Sequence, residues 1–188
     1  VVLVGVVHAI KNQLDFLRQT VPLLRDRVPR LRVALVGDFA PERESYAAEC
    51  EAAVRAAGLS EVVTFAGYQA HPERYYQAAD LSVLVSQYEG LPRCMAESLA
   101  CGTPMISFAL PSTAEFLTEQ ALGSVVPHGN YRALADEIER FSLDGQRRLA
   151  MRERAAEVAR AAFDPDKSVA GYLRAYERLS VRNGPTRW

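Results

Sequence analysis

Two carboxylates and one amine offer the chemistry most readily found in this sequence. Glu89 and Glu97 lie within the run from Gln87 to Pro104. The stretch ahead of them, Leu81 to Ser86, is apolar and β-branched enough to be a buried parallel strand. Glu89 then ends a strand-to-helix loop, and Glu97 sits inside the following helix. Open α/β sheets bind ligands beyond the carboxyl ends of their strands. That geometry puts one carboxylate at the mouth of a crevice and the other about two turns deeper along the helix. Carboxylates so placed can hold hydroxyl groups at two points of one polar ligand. Lys11 stands just before a helix at the end of the first apolar run. A lysine there can pair with a diphosphate, helped by the amides of the helix N-terminus, or it can be a solvated surface residue.

Positioning such groups requires a sheet. Six apolar runs alternate with helix-period segments: Val1 to Val7, Leu31 to Gly37, Val62 to Ala66, Leu81 to Ser86, Met105 to Phe108 and Val125 to Val126. Between them fall Gln13 to Arg27, Glu42 to Ala57, Pro72 to Ala79, Pro92 to Ala100, Thr113 to Glu119 and Tyr131 to Phe141. The alternation predicts a Rossmann-like α/β domain of three layers around a six-stranded parallel sheet. Gly58 and Gly102 follow their helices as C′ residues do, and Pro104 lies just beyond the second. The last third is helical: Gln146 to Ala162, a break at Asp164-Pro165, then an amphipathic segment from Ser168 to Leu179. The expected domain spans residues 1–181, including the C-terminal helices over 146–181. The tail 182–188 reads as disordered.

The totals narrow the partners. With 188 residues the chain is long enough for one domain. Its apolar fraction of 49% is ordinary for a globular protein. A formal charge of −1 supplies no broad basic field for nucleic acid, and no apolar run is long enough to span a bilayer. Cys94 and Cys101 lie about 10 Å apart on one expected helix, too far for a disulfide. With Cys50 they make an odd count, which predicts free thiols in a reducing, cytoplasmic compartment. His8, His71 and His128 have no metal-ligand spacing with them. The chain begins on Val1 inside an expected strand and without Met, so it reads as a piece of a longer protein.

Three other turns are candidates. The first, Gly5 to Asn12, is neither a G-x-G-x-x-G loop nor a Walker loop, which disfavours a dinucleotide. The second, Val36-Gly37-Asp38, and the third, Ala66-Gly67-Tyr68-Gln69, each put a glycine directly after a strand. Such a glycine lets a ligand approach the backbone or merely makes a tight turn. Backbone groups of Gly67 and Gln69 can read the edge of a nucleobase; Tyr68 either stacks on it or packs. At the fourth turn Gly90, Leu91 and the helix beyond offer free N–H groups to an anion. Glu97 shares a helix face with Arg93, so an intrahelical ion pair is its plainer reading.

Taken together, these turns resemble the retaining glycosyltransferases of the GT-B fold, in their group 1, or family 4, class. Glu89-Gly90, then Glu97, then Ala100-Cys101-Gly102-Thr103-Pro104 matches that family's motif of two glutamates and an Ala-Cys-Gly-Thr-Pro helix end. Leu35 to Asp38 with Glu42, Phe65 to Tyr68, Tyr75 to Leu84 and Val126 to Asn130 are similar to further segments of it. The resemblance covers Val1 to about Leu179 and is to the C-terminal, donor-binding domain.

The resemblance implies a nucleotide diphosphate sugar as donor. Glu97 would bind the ribose hydroxyls and Glu89 those of the sugar near the reacting carbon. The amides of Gly90 and Leu91 would contact sugar and phosphate, and Lys11 would neutralise the diphosphate. Gly67, Tyr68 and Gln69 would face the base, with His8, Gly37 and Asp38 along the same crevice. No cofactor and no metal is implied. A glycan or lipid-linked acceptor would bind an N-terminal domain that this chain lacks, so the chain alone should transfer poorly. The longer protein would make peripheral contact with the inner face of the membrane. Two departures stand out. Val6 occupies the place of the family's usual arginine, and Asn12 that of a glycine. Losing a charged hydrogen bond costs about 1.5–3 kcal/mol, or roughly ten- to a hundredfold in affinity; Arg93 is expected to compensate in part. Ala109 to Glu115 also departs from the family's glycine-rich pattern. Alternative readings are a nucleotide-sugar 2-epimerase of the same fold and a non-catalytic nucleotide-binding domain.

Overall fold

Six parallel strands, in the order β3-β2-β1-β4-β5-β6, form the centre of the molecule. They are β1 (Val2–Val4), β2 (Val33–Val36), β3 (Val63–Gly67), β4 (Ser82–Leu84), β5 (Met105–Phe108) and β6 (Gly123–Val126). The computed structural model describes residues 1–39 and 44–182. Glu42 lies outside the described residues, as does the tail from residue 183. Val2 pairs with Ala34 on one side and Ser82 on the other. β1 and β4 are therefore neighbours, and the chain winds away from them in opposite directions.

The central strands β4 and β5 are buried on both faces, as their near-continuous apolar runs require, while the edge strands β3 and β6 are largely half-buried. Successive side chains alternate between two helical layers. Leu3, Val33, Leu35, Val63, Val83, Ile106 and Phe108 join a core with α1 (Gln13–Asp15), α2 (Val21–Arg25), α3 (Glu44–Ala56) and α7 (Tyr131–Leu143). Leu84 and Met105 face α5 (Arg93–Ala100), α6 (Pro111–Glu119) and α8 (Gly145–Ala162). Val2 and Val36 pack with Tyr76 of α4 (Glu73–Ala78) on that second side. Three layers and a six-stranded parallel sheet are what the alternation predicted.

Local chemistry explains the boundaries. After α3, Gly58 N–H bonds Arg55 and Leu59 N–H bonds Val54. After α5, Gly102 N–H bonds Leu99 and Thr103 N–H bonds Ser98. Both are the paired bonds of a glycine C-cap. The first helical segment is less regular than its period suggests. α1 passes through a π-turn (Phe16–Thr20) into α2, and the segment ends at Arg25 rather than Arg27. Pro22, which has no N–H and cannot continue an α ladder, sits at the join. β6 begins two residues earlier than its valines indicate. A side chain at Gly123 would put a Cβ 1.9 Å from the Met105 carbonyl oxygen, so the close approach of β5 demands glycine there.

The C-terminal helix α9 (Pro165–Arg182) is set apart. Val169, Tyr172, Leu173, Tyr176 and Leu179 form its apolar face and are 56–68% exposed. Arg182, assigned to a disordered tail from sequence, is the last described residue of this helix. Cys50, Cys94 and Cys101 are free. Among the described residues no helix is long and apolar enough to cross a membrane.

Candidate functional site

The crevice opens where the sheet order reverses, beyond the carboxyl ends of β1 and β4. Two loops meet there. Lys11 leaves a short 3-10 turn (Ala9–Lys11) after β1, and Glu89 stands in the loop between β4 and α5. Their charged groups touch, with Lys11 Nζ 2.6 Å from Glu89 Oε1. Ser86 donates its hydroxyl to the same carboxylate oxygen at 2.7 Å, and Ser112 at the start of α6 donates to the Glu89 carbonyl at 3.4 Å. The two ends of the pair are 78 residues apart in sequence. The fold thus joins what the sequence offered as separate candidates.

Three amide side chains hold these loops in place. Asn12 has φ 54°, the left-handed conformation that asparagine tolerates better than most residues. Its Nδ2 donates to Val85 O at 3.0 Å, and Gln87 Nε2 donates to Asn12 Oδ1 at 3.2 Å. Gln87 N–H also bonds Ile10 O. Asn12 in place of glycine is therefore a working substitution that adds a cross-loop tie. Gln13, buried at the start of α1, donates to Val6 O at 2.9 Å and accepts from His8 N–H at 3.2 Å. Val6 itself is exposed and brings no charge. His8 accepts from Ile10 N–H through Nδ1, which leaves Nε2 as the protonated nitrogen of the neutral ring. His8 thus caps the 3-10 turn. His128, after β6, closes the far side through Nε2 to Gln87 O at 3.1 Å and packs on Phe108.

On the other half of the sheet edge the turns are held mainly by backbone. Gly37 N–H bonds Gly67 O at 2.9 Å, and Gly5 N–H bonds Val36 O at 2.8 Å. A Cβ at Gly37 would lie 2.1 Å from Gly5 O, so packing of one turn on the next is enough to require this glycine. Asp38 is exposed; its Oδ1 accepts from Phe39 N–H and its carbonyl from Val7 N–H. Gly67 has φ 64° and open space at its Cα. Gln69 turns its amide back onto Ala66 O at 2.7 Å. Tyr68 points outward, 71% exposed.

α5 starts at the crevice. Its N-cap, Pro92, supplies no side-chain cap, so the first amides of α5 are left to solvent or an anion. Gly90 and Leu91 are exposed beside them, as is Arg93. Among the described residues no ion pair joins Arg93 to Glu97, contrary to the plainer reading of Glu97. Glu97 is exposed one turn further on, with the Tyr76 hydroxyl 3.5 Å from its Oε2. Burial, then the neighbouring Cys94 and Glu97, pushes the Tyr76 hydroxyl well up, so it stays a neutral donor. Burial likewise pushes Cys94 up to about 11, with Glu89 adding to the effect; this thiol is not a nucleophile at neutral pH. Among the described residues no group of three or more His, Cys, Asp or Glu could hold a metal ion.

Sequence reasoning missed Ser86, Gln13, Gln87, Ser112 and His128 as parts of the site. The signal for Ser86 was weak but present: a polar residue at the end of an apolar run, where burial demands a hydrogen-bond partner.

Comparison with known proteins agrees with this architecture. Residues 1–144 match the family model for glycosyl transferases group 1. The lipopolysaccharide core biosynthesis glycosyltransferase LpsE of Rhizobium meliloti is 30% identical over 116 residues, 62% of this chain and 34% of the relative. The sucrose-phosphate synthase of Thermosynechococcus elongatus superposes with a TM-score of 0.83 at 27% identity, covering 95% of this chain and 45% of that one. HepE of Anabaena, crystallised in complex with UDP, has a TM-score of 0.79 at 23% identity, covering 93% of this chain and 48% of that one. The last likeness speaks for the fold alone. This chain spans less than half the length of each of the three. With the alternating α/β order, the GT-B type of sheet and the glutamate motif all in agreement with the family match, this chain belongs to the group 1 glycosyltransferases.

Proposed function

We propose that this chain is the donor-binding part of a glycosyltransferase that moves a sugar from a nucleotide diphosphate sugar to an acceptor with retention of anomeric configuration. The observation that carries the reading is the Lys11–Glu89 pair at the point where the sheet order reverses. A cation and a carboxylate side by side suit a ligand whose anionic diphosphate adjoins a hydroxyl-rich sugar. In this reading Lys11 and the uncapped amides at the start of α5 bind the diphosphate and stabilise it as it departs. Glu89 accepts hydrogen bonds from the sugar, and the Gly90 and Leu91 amides flank it. Glu97 takes the ribose hydroxyls. Gly67, Tyr68 and Gln69 face the base, with His8, Gly37 and Asp38 lining the path between. Arg93, exposed in the first turn of α5, supplies part of the charge that Val6 lacks, and no metal or cofactor is needed. The acceptor, a glycan or lipid-linked sugar at the inner face of the membrane, would be held by a second domain, so this chain alone transfers poorly.

Isothermal titration of the chain with UDP, GDP and ADP tests the reading. One nucleotide should bind saturably, and both Lys11→Ala and Glu97→Ala should weaken it, by about ten- to a hundredfold where a charged hydrogen bond is lost. Binding that neither variant weakens would place the nucleotide elsewhere and sink the assignment.

A further inference from the structure

We infer that the Lys11–Glu89 ion pair is a resting contact which a diphosphate must displace, so that Glu89 discriminates a nucleotide still bearing its sugar from the bare nucleoside diphosphate. The inference rests on the donor-binding reading above and adds a direction to it. Lys11 Nζ and Ser86 Oγ both bond one oxygen of Glu89, Oε1, at 2.6 and 2.7 Å. Among the described residues nothing donates to Oε2. The Glu89 side chain is 12% exposed and the Lys11 side chain 26% exposed, so each charge has lost much of its water. A partly buried charge deprived of its partner is costly.

Lysine is a point charge on a flexible stem with three donors. When Lys11 turns to a diphosphate, Glu89 loses its counter-charge and faces a second anion. Ser86 remains, which keeps the carboxylate oriented without neutralising it; Ser86 is thus a positioning residue for Glu89. The hydroxyls of an attached sugar can donate to the free Oε2 and to the oxygen that Lys11 vacates. They offset the loss. A bare nucleoside diphosphate brings no such donors and bears the penalty in full. The same pair that admits the donor therefore helps to expel the nucleotide product.

Titration of the 188-residue chain with whichever of UDP, GDP or ADP it binds, and with the matching nucleotide-glucose, tests this. Glu89→Gln keeps the shape and removes the charge. It should tighten the bare nucleotide by about tenfold and weaken the sugar nucleotide. Ser86→Ala keeps the charge, so it should leave the bare nucleotide within about twofold and weaken the sugar nucleotide. If Glu89→Gln weakens the bare nucleotide or leaves it unchanged, Glu89 organises Lys11 rather than competing for it, and the inference falls. If Ser86→Ala tightens the bare nucleotide as much as Glu89→Gln does, charge is not the cause and it falls too. Lys11→Ala separates the two levels. Weaker nucleotide binding in that variant leaves the donor-binding reading standing when the inference fails; unchanged binding removes both. A thermal melt checks that each variant folds, with Glu89→Ala as the second charge-removing variant.

Discussion

The carboxyl edge of this sheet is built in two ways. After β1 and β4 the loops are tied by side chains: Asn12 to Val85, Gln87 to Asn12, Gln13 to Val6, Lys11 and Ser86 to Glu89. After β2 and β3 the turns are held chiefly through backbone, with Gly37 N–H on Gly67 O and Val36 O accepting from Gly5 of the β1 turn. Both halves are well ordered by hydrogen bonds, but they respond to different changes. A side-chain scaffold tolerates backbone variation and fails when a functional group is lost. A backbone scaffold tolerates almost any neighbouring side chain and fails when a Cβ is added.

That contrast can be broken, starting with the most damaging change. Gly37→Ala forces a Cβ to within 2.1 Å of Gly5 O, and should cost about 3 kcal/mol or more in urea unfolding, because backbone must move. A smaller loss would show that the backbone half is softer than described. Asn12→Ala comes next. It removes two cross-loop hydrogen bonds and leaves alanine in a left-handed conformation, so about 2–3 kcal/mol is expected. Asn12→Gly should recover the conformational part alone, which separates the two contributions in the same unfolding experiment. Gln13→Ala leaves the Val6 carbonyl and His8 amide without their partner, and should cost about 1–1.5 kcal/mol; hydrogen exchange at His8 should rise with it. Tyr68→Ala should change stability by less than about 0.5 kcal/mol, since the ring is exposed. Any larger effect of Tyr68→Ala must appear in nucleotide titration, where loss of a base-stacking ring is worth about 1–3 kcal/mol.

The sequence made one half of this comparison far easier to read than the other. Apolar runs and helix periods are local, so all six strands and the helix between each pair were legible. The glycine caps after α3 and α5 were legible for the same reason. Lys11 and Glu89 were each visible as candidates, because a charged residue at a strand-to-helix loop is conspicuous. Their contact was not, since it depends on β1 and β4 being neighbours, and strand order is a property of long-range packing. Asn12 looked like a departure where glycine is usual; only its dihedral angles reveal that asparagine takes up the same left-handed turn. Ser86 looked like the polar end of an apolar run. The π-turn before Pro22 left no periodic signature, and Gly123 hid the start of β6 because glycine is poor in strand propensity.

The family model and the core end at different residues in this chain. The match to the family model stops at residue 144. One flank of the core does not, for Leu84, Met95, Leu99, Met105 and Leu117 pack with Ala155 and Ala159 of α8. Arg152 from the same helix donates to the Ala79 carbonyl at 2.8 Å, pinning α8 across the loop between α4 and β4. A protein trimmed to residues 1–144 would carry both glutamates of the motif and still leave that flank open to water. For anyone dissecting such chains, the useful boundary is the last residue that covers the core.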